Sequence, residues 1–396
     1  MTTIEQSYAT RSAYPRISVL AAGLFVVGTN AFVIAGLLPD IAKAFSVSTA
    51  TASYSITFYA IVVAIAAPAV SILLARWSRT QLMATGLLLL AIGTLVAALS
   101  DSITIFTVGR IVAALGGAAL VPAATAAAPA LVSHEQRGKA LAFVGVGFTL
   151  ATAVGSPIGT ALGEVGGWRL PLFILAGLAL VLAAAVLFGV RNIPIGAAAS
   201  FAQRLAPLRD PRILLPLVTT LFMIAGFNIV YIFSSEVTGD ATGGSGSLLA
   251  VLLLMFGLGG VVGTVVSGPI TDRLGSRVLV TLALGLEVVA LVILPFVGRT
   301  FVGSAIVFVV WGMAAFAATV PVQHRMVSID PARAALALSW FTTAMYIGIA
   351  IAPPLATAAF RLGGSAFIPF VGAIATAVGL IAFLVGYLSR RPLGVV

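Results

Sequence analysis

Arg110 and Glu287 stand out in this 396-residue chain because each is ionisable and each lies inside a long apolar run. A charge in apolar surroundings is costly unless it is paired or faces a polar cavity, so both are functional candidates by default. Arg110 stands about six residues from one end of its run. That is deep enough to meet a partner inside a helix bundle and shallow enough to snorkel to the surface. Glu287 falls near the centre of its run, and the last six runs hold no Lys or Arg except Arg325 at the inner end of the run 302–326. It could handle a proton, or remain neutral and hydrogen-bond a neighbouring helix. Asn30, Phe32, Phe227, Asn228, Tyr231, Gln323 and Tyr346 also lie on apolar stretches. Such amides, phenols and rings could orient and stack a moderately hydrophobic solute, or tie helices together by hydrogen bonds.

Composition dictates the elements that must position these residues. Hydrophobic residues make up 61% of the chain and charged residues 8%, with a mean hydropathy of +1.18. The apolar residues fall in runs of about twenty, the length that crosses a hydrocarbon layer about 30 Å thick. The expected fold is therefore an all-α polytopic membrane protein. Twelve spans are predicted, near 17–38, 51–74, 80–100, 104–127, 140–163, 170–190, 213–235, 247–270, 278–297, 302–326, 335–360 and 366–388.

The charges between the runs orient the chain. With a cytoplasmic N-terminus, the inner gaps hold Arg11, Arg16, Arg76, Arg79, Arg137, Lys139, Arg191, Arg204, Arg209, Arg212, Arg273, Arg277, Arg325, Arg333, Arg390 and Arg391. The outer gaps hold Lys43, Arg169, Arg299 and Arg361. This asymmetry obeys the positive-inside rule and places both termini in the cytoplasm. The net charge of +10 then serves orientation and anionic headgroups, and no nucleic-acid partner is needed to explain it. With no cysteine, disulfides, thiol catalysis and thiolate metal sites are excluded. His134 and His324 lie at or near inner loops and do not form a metal-binding helix motif. The first run is too long for the apolar core of a cleavable signal.

The chain divides in two. The segment 191–212 carries Pro194, Gly196, Pro207 and Pro211 and leaves six spans on each side. Expected parts are a cytoplasmic N-terminus (1–16), an N-terminal six-helix bundle (17–190), a cytoplasmic central loop (191–212), a C-terminal bundle (213–388) and a cytoplasmic tail (389–396). Arg76 and Arg273 are 197 residues apart, as are Pro157 and Pro354, while Gly116 and Gly312 are 196 apart. Three matches at nearly one offset indicate a duplication. Two parallel repeats holding a solute between them near the midplane are a standard transporter construction.

Several segments carry a family resemblance. The first run reads Gly28-Thr29-Asn30-Ala31-Phe32-Val33-Ile34-Ala35-Gly36-Leu37-Leu38-Pro39-Asp40, and the second holds Tyr59-Ala60, Ala67-Pro68 and Arg76-Trp77-Ser78-Arg79. Arg110 precedes Gly116-Gly117, and the fifth run holds Gly155-Ser156-Pro157-Ile158-Gly159-Thr160 before Gly167-Trp168-Arg169. Together these resemble the major facilitator superfamily, within it the twelve-helix drug:proton antiporter branch of sugar-efflux, arabinose-efflux-like and chloramphenicol-resistance exporters. The resemblance implies two pseudo-symmetric six-helix bundles and a cavity lined by the first, seventh, tenth and eleventh helices. It implies a role for Arg110 in proton coupling. It makes Gly155, Pro157 and Gly159 a hinge or seal, where ordinary close packing is the plainer reading.

Gly268, Asp272, Arg273, Gly275 and Arg277 resemble the superfamily's gating loop. The N-terminal copy keeps Arg76 and Arg79 but has Ser71, Ala75 and Ser78 where the motif has Gly, Asp and Gly. The family acid of the first helix is replaced by Ala31, which leaves Asp40 as the nearest acid and a coupling candidate beside Arg110 and Glu287. The expected function is secondary active export of small amphipathic molecules, such as an amphenicol, a sugar or a metabolite, by proton antiport from a bacterial cytoplasmic membrane. A facilitator or a differently coupled porter is the alternative. No phosphate-binding G-x-x-x-x-G-K-[ST] loop occurs, so the proton gradient is the expected energy source, with no cofactor or metal. The expected partners are the solute and membrane lipids, with the chain acting as a monomer. An enzyme would need a nucleophile and base paired at one depth, which the runs do not offer.

Overall fold

The structure, a computed structural model, describes residues 3–74, 76–133, 136–190, 193, 203 and 205–388. Expectations resting on Ala75, His134, Arg191, Pro194, Gly196, Arg204, Arg390 and Arg391, and on the tail 389–396, lie outside the described residues. The described residues are predominantly helical, and no strand occurs among them. Among the described residues, eleven helices are long and apolar enough to cross a membrane. One of them, Gly246–Val297, has 52 residues. At about 1.5 Å per residue it is far longer than a ~30 Å crossing requires. It breaks at Gly275, whose φ of 78° and ψ of 158° are non-helical. That break accounts for the twelve predicted spans.

In chain order the helices are α1 (Thr3–Ala44), α2 (Thr49–Leu73), α3 (Arg79–Leu99), α4 (Ile103–Ala127), α5 (Arg137–Gly166), α6 (Arg169–Gly189) and α7 (Pro211–Ile232). After the turns Ser234–Val237 and Gly239–Thr242 come α8 (246–274) and α9 (276–297). The last three are α10 (Phe301–Ile329), α11 (Ala334–Gly363) and α12 (Ile368–Leu388). The first helix starts well before its apolar run, because membrane thickness limits only the apolar part of a helix and not its polar extension.

The starts of several helices are written in the sequence. Ser78 and Gln81 form a reciprocal capping box on α3, and Ser102 accepts the Ile105 N–H at the start of α4. Asp210 caps α7 with Pro211 in its first turn, and Thr300 caps α10. Each cap satisfies amide donors that the first helical turn leaves without partners.

The helices gather into two compact units: residues up to 198 with 245–254, and residues 199–244 with 255–396. In the first, α4 packs on α3 and α2, and α1 on α5. Glycine allows close approach: a Cβ at Gly116 would meet the Gly86 carbonyl on α3 at 2.4 Å. In the second unit, α7 packs on α11 and α12. Gly312, the repeat mate of Gly116, lies against the Phe256 backbone on α8 instead.

Candidate functional site

Four helices of the first unit converge on Arg110. The residue belongs to the second turn of α4 and is only 1% exposed. Its Nη1 donates to the Asn30 carbonyl at 2.7 Å and to Asn30 Oδ1 at 2.6 Å. Asn30, on α1, is fully buried. Its Nδ2 donates to Thr94 Oγ1 on α3 at 2.8 Å, and Thr94 donates onward to the Leu90 carbonyl at 2.6 Å. The guanidinium carbon lies 4.3 Å from the centre of the Tyr59 ring on α2. Hydrogen bonds from a charged donor and a cation–π contact are the interactions that offset burial of a guanidinium. Arg110 Nε and Nη2 and the Tyr59 hydroxyl are buried without a hydrogen-bond partner among the described groups. Arg110 is thus buried rather than snorkelled, and its anchor is a neutral amide.

Asp40 is not part of this constellation. It is exposed near the end of α1, and the charges within its reach are Lys43 and Glu164. Glu164, which sequence reasoning passed over, accepts hydrogen bonds from the Ser245 hydroxyl at 3.5 Å and from the Ser247 hydroxyl. Phe32 is buried edge-on to Phe148 on α5, ring centres 5.9 Å apart.

The motif of α5 faces α1 within the same unit. A Cβ at Gly155 would collide with Thr29, and one at Gly159 with Val33. Pro157 follows a π-helical turn at Ala151–Gly155. A wide turn here fits a residue that lacks an N–H and crowds the preceding carbonyls. These small positions provide close packing together with a local helix irregularity.

In the second unit Glu287, on α9, is fully buried. Its carboxyl interacts with the Trp311 indole N–H on α10 and the Thr376 hydroxyl on α12, yet neither contact closes a hydrogen bond of ordinary geometry. Gly226 on α7 leaves the space that the Thr376 hydroxyl occupies. Phe227 and Tyr231 join Phe256 and Phe316 in an aromatic cluster, with Phe227–Phe256 ring centres 5.9 Å apart and Tyr231–Phe256 5.2 Å apart. Asn228 donates to its own helix at the Ile224 carbonyl, 2.8 Å away. Tyr346 is buried and Gln323 half-buried.

The gating loop is solvent-facing: Asp272, Arg273, Gly275 and Arg277 are exposed, and Gly268 is half-buried. The ion pairs among the described residues are Asp210–Arg212 and Asp330–Arg333, so Asp272 is not latched to a described cation. Arg277 and Arg325 both lie over the Tyr387 ring, at 5.8 and 4.5 Å. Arg76 is exposed, whereas Arg79 donates to the Ala126 carbonyl near the end of α4. His324 is exposed and shares a 2.9 Å hydrogen bond with Ser276. No set of three His, Asp or Glu side chains gathers among the described residues to hold a metal.

Buried polar groups on a framework of long apolar helices are compatible with a protein that moves solutes, and comparison with known proteins decides the family. Residues 20–353 match the family model described as Major Facilitator Superfamily. The chain belongs to the major facilitator superfamily. It is 30% identical over 379 residues to the inner membrane transport protein YdhP of Escherichia coli strain K12, covering 96% of each chain. It is 27% identical over 375 residues to the uncharacterized MFS-type transporter YbcL of Bacillus subtilis strain 168, covering 95% of this chain and 96% of that one. The fold is similar to the crystal structure of a bacterial homologue of the human lysosomal transporter Spinster, with a TM-score of 0.74, 16% identity and full coverage of both chains. It is also similar to a variant of the nucleoside transporter NupG, with a TM-score of 0.73, 13% identity and coverage of 94% of this chain and all of that one. The protein is a multi-pass membrane transporter of this superfamily, not an enzyme.

Proposed function

We propose that this transporter exports small amphipathic molecules by alternating access of two six-helix halves, driven by proton antiport. The observation that carries the coupling assignment is Arg110, buried among α1, α2, α3 and α4 and anchored on Asn30. A buried guanidinium held by a neutral amide has no counter-charge in its anchor and has N–H groups to spare. It can therefore respond to a charge or dipole arriving nearby, such as a solute carbonyl. Phe32, Gln323 and Tyr346 are the proposed solute contacts. Asn30, Asn228, Phe227 and Tyr231 are given over to anchoring and packing. Cytoplasmic termini follow from the cation asymmetry, and the name of the E. coli relative supports a bacterial cytoplasmic membrane.

Ala31 favours a second reading. Without the family acid beside Arg110, the first unit holds no carboxylate in that cluster, as a facilitator or a differently coupled porter would have it. One measurement separates the two. Everted vesicles containing the full chain should accumulate compounds from a labelled library of amphenicols, sugars and drug-like amphiphiles only when an inward-acid pH gradient is imposed. Equal movement with and without the gradient would select the facilitator.

A further inference from the structure

Arg110 leaves one edge of its guanidinium unused. Nη1 is taken by Asn30, while Nε and Nη2, both buried, have no hydrogen-bond partner among the described groups. On a planar guanidinium these two N–H groups lie side by side and point the same way, a fork that matches the two oxygens of a carboxylate. Elsewhere in the chain the same edge is filled. On Arg212 it grips Asp210, with Nε 3.1 Å from Oδ1 and Nη2 2.8 Å from Oδ2. On Arg169 it donates to the Ala98 and Ser100 carbonyls at 3.0 and 2.8 Å.

Arg169 also shows that stacking on a ring does not replace pairing of the fork. Its guanidinium carbon lies 4.3 Å from the Trp168 ring centre, the same distance as Arg110 from Tyr59, yet its fork is filled. The exposed arginine is the paired one, and the buried arginine is the free one. An arginine that only held helices together would close its fork on a carbonyl, because a buried donor without an acceptor is costly, and more so when charged.

The cluster also lacks a counter-charge. Asn30 is neutral, the next residue is Ala31, and Arg110 takes part in neither of the ion pairs among the described residues. The Tyr59 hydroxyl, on the ring that stacks against the guanidinium, is likewise buried and unpaired. It lies beside Gly117 on α4, where a Cβ would stand 3.2 Å from it. Two parallel N–H donors, a hydroxyl and an unbalanced positive charge all call for an acceptor that carries one negative charge. Water supplies an acceptor without the charge. A dianionic phosphate brings more charge than one guanidinium balances in an apolar interior.

We propose that the Nε–Nη2 edge of Arg110 receives the carboxylate of an organic monoanion, with the Tyr59 hydroxyl available to the same anion, so that the exported amphipaths are carboxylates. The inference rests on the export reading above and names its substrate class. A carboxylate sets one oxygen on each N–H of the fork and supplies the missing charge at once. Because the edge is buried here, the solute reaches it as the surrounding helices part during the transport cycle.

The test uses the full-length protein in a neutral detergent at neutral pH, with a series of linear and aryl monocarboxylates, each paired with its uncharged amide. Calorimetric titration and thermal unfolding read the binding. We expect at least one carboxylate to bind about tenfold or more tightly than its amide and to raise the melting temperature. Arg110→Lys keeps the charge without the fork and should remove that preference. Asn30→Asp guards against a folding failure of the arginine variant. It sets a carboxylate beside the guanidinium and should also remove the preference, in a monodisperse protein. No carboxylate binding better than its amide, a preference that survives in both variants, or equal stabilisation by chloride alone would overturn the site. Vesicle uptake, measured against protein-free liposomes because weak acids cross bilayers unaided, separates this from the parent reading. Carboxylates that bind and move without regard to the pH gradient remove antiport and leave the site standing. Gradient-driven uptake of neutral amphipaths with carboxylates excluded leaves export and removes the site.

Discussion

Arg110 Nη1 donates to both the backbone carbonyl and the side-chain oxygen of Asn30, at 2.7 and 2.6 Å, so one amide residue fixes the position of the buried guanidinium. Removing either partner leaves a charged or polar group buried without compensation. Arg110→Ala should reduce gradient-driven uptake at least tenfold. Asn30→Ala should do nearly the same and lower stability by about 2 kcal/mol. Asn30→Asp should fold, since it gives the guanidinium a carboxylate, but should alter the pH dependence of uptake. Transport by Asn30→Ala at the wild-type rate would remove Asn30 as the anchor.

Asp40 tests whether coupling needs an acid near the end of α1. Its electrostatic neighbours are Lys43 and Glu164, and Arg110 is engaged with Asn30. Asp40→Asn should therefore lower uptake less than Arg110→Ala in the same proteoliposomes. An equal loss would mean that Asp40 approaches Arg110 in another state of the cycle.

Much of this arrangement was legible in the sequence, and the parts that were not share a physical cause. Run length and charge placement marked the crossings because membrane thickness and the cost of buried charge act on single segments. The motif glycine Gly275 marked the divide between α8 and α9, although the connection shrinks to one non-helical residue where a loop was expected. Thr94, Trp311 and Thr376 were not found. They are ordinary residues in their own helices and acquire a role only through the rotation and depth of a neighbour. Asn30 was read as a solute contact for the same reason: nothing on α1 reveals that α3 and α4 supply partners for both ends of its amide.

Gly275 makes the backbone argument testable. Its φ of 78° lies where a Cβ is disfavoured, and nothing lies within 4 Å of the position a Cβ would take, so conformation rather than space requires glycine there. Gly275→Ala should destabilise the protein by about 1 kcal/mol and slow transport by stiffening the turn. Thermal unfolding in detergent together with uptake would check this. A wild-type melting temperature would mean that the turn adopts another conformation at no cost.

The last prediction concerns the entry to α7. Asp210 Oδ1 accepts the Arg212 backbone N–H at 2.9 Å, capping the helix, and its carboxylate is held by the Arg212 guanidinium at 2.8 Å. These hydrogen bonds hold Asp210 below the usual carboxylate range. A carboxyl whose folded value is depressed contributes stability that is fully present above its unfolded value of about 3.9. That contribution fades as pH falls through the lower folded value. Asp210→Ala should therefore cost about 1 kcal/mol at neutral pH, the usual cost of a lost cap. The gap from wild type should close only in strongly acidic solution. Asp210→Asn should recover most of the loss, because an amide oxygen still accepts the Arg212 N–H, but it should not show the acid dependence. Melting curves of the three proteins across pH would decide. An Asp210→Ala deficit that persists unchanged at the lowest pH would show that the helix cap does not depend on the ionised carboxylate.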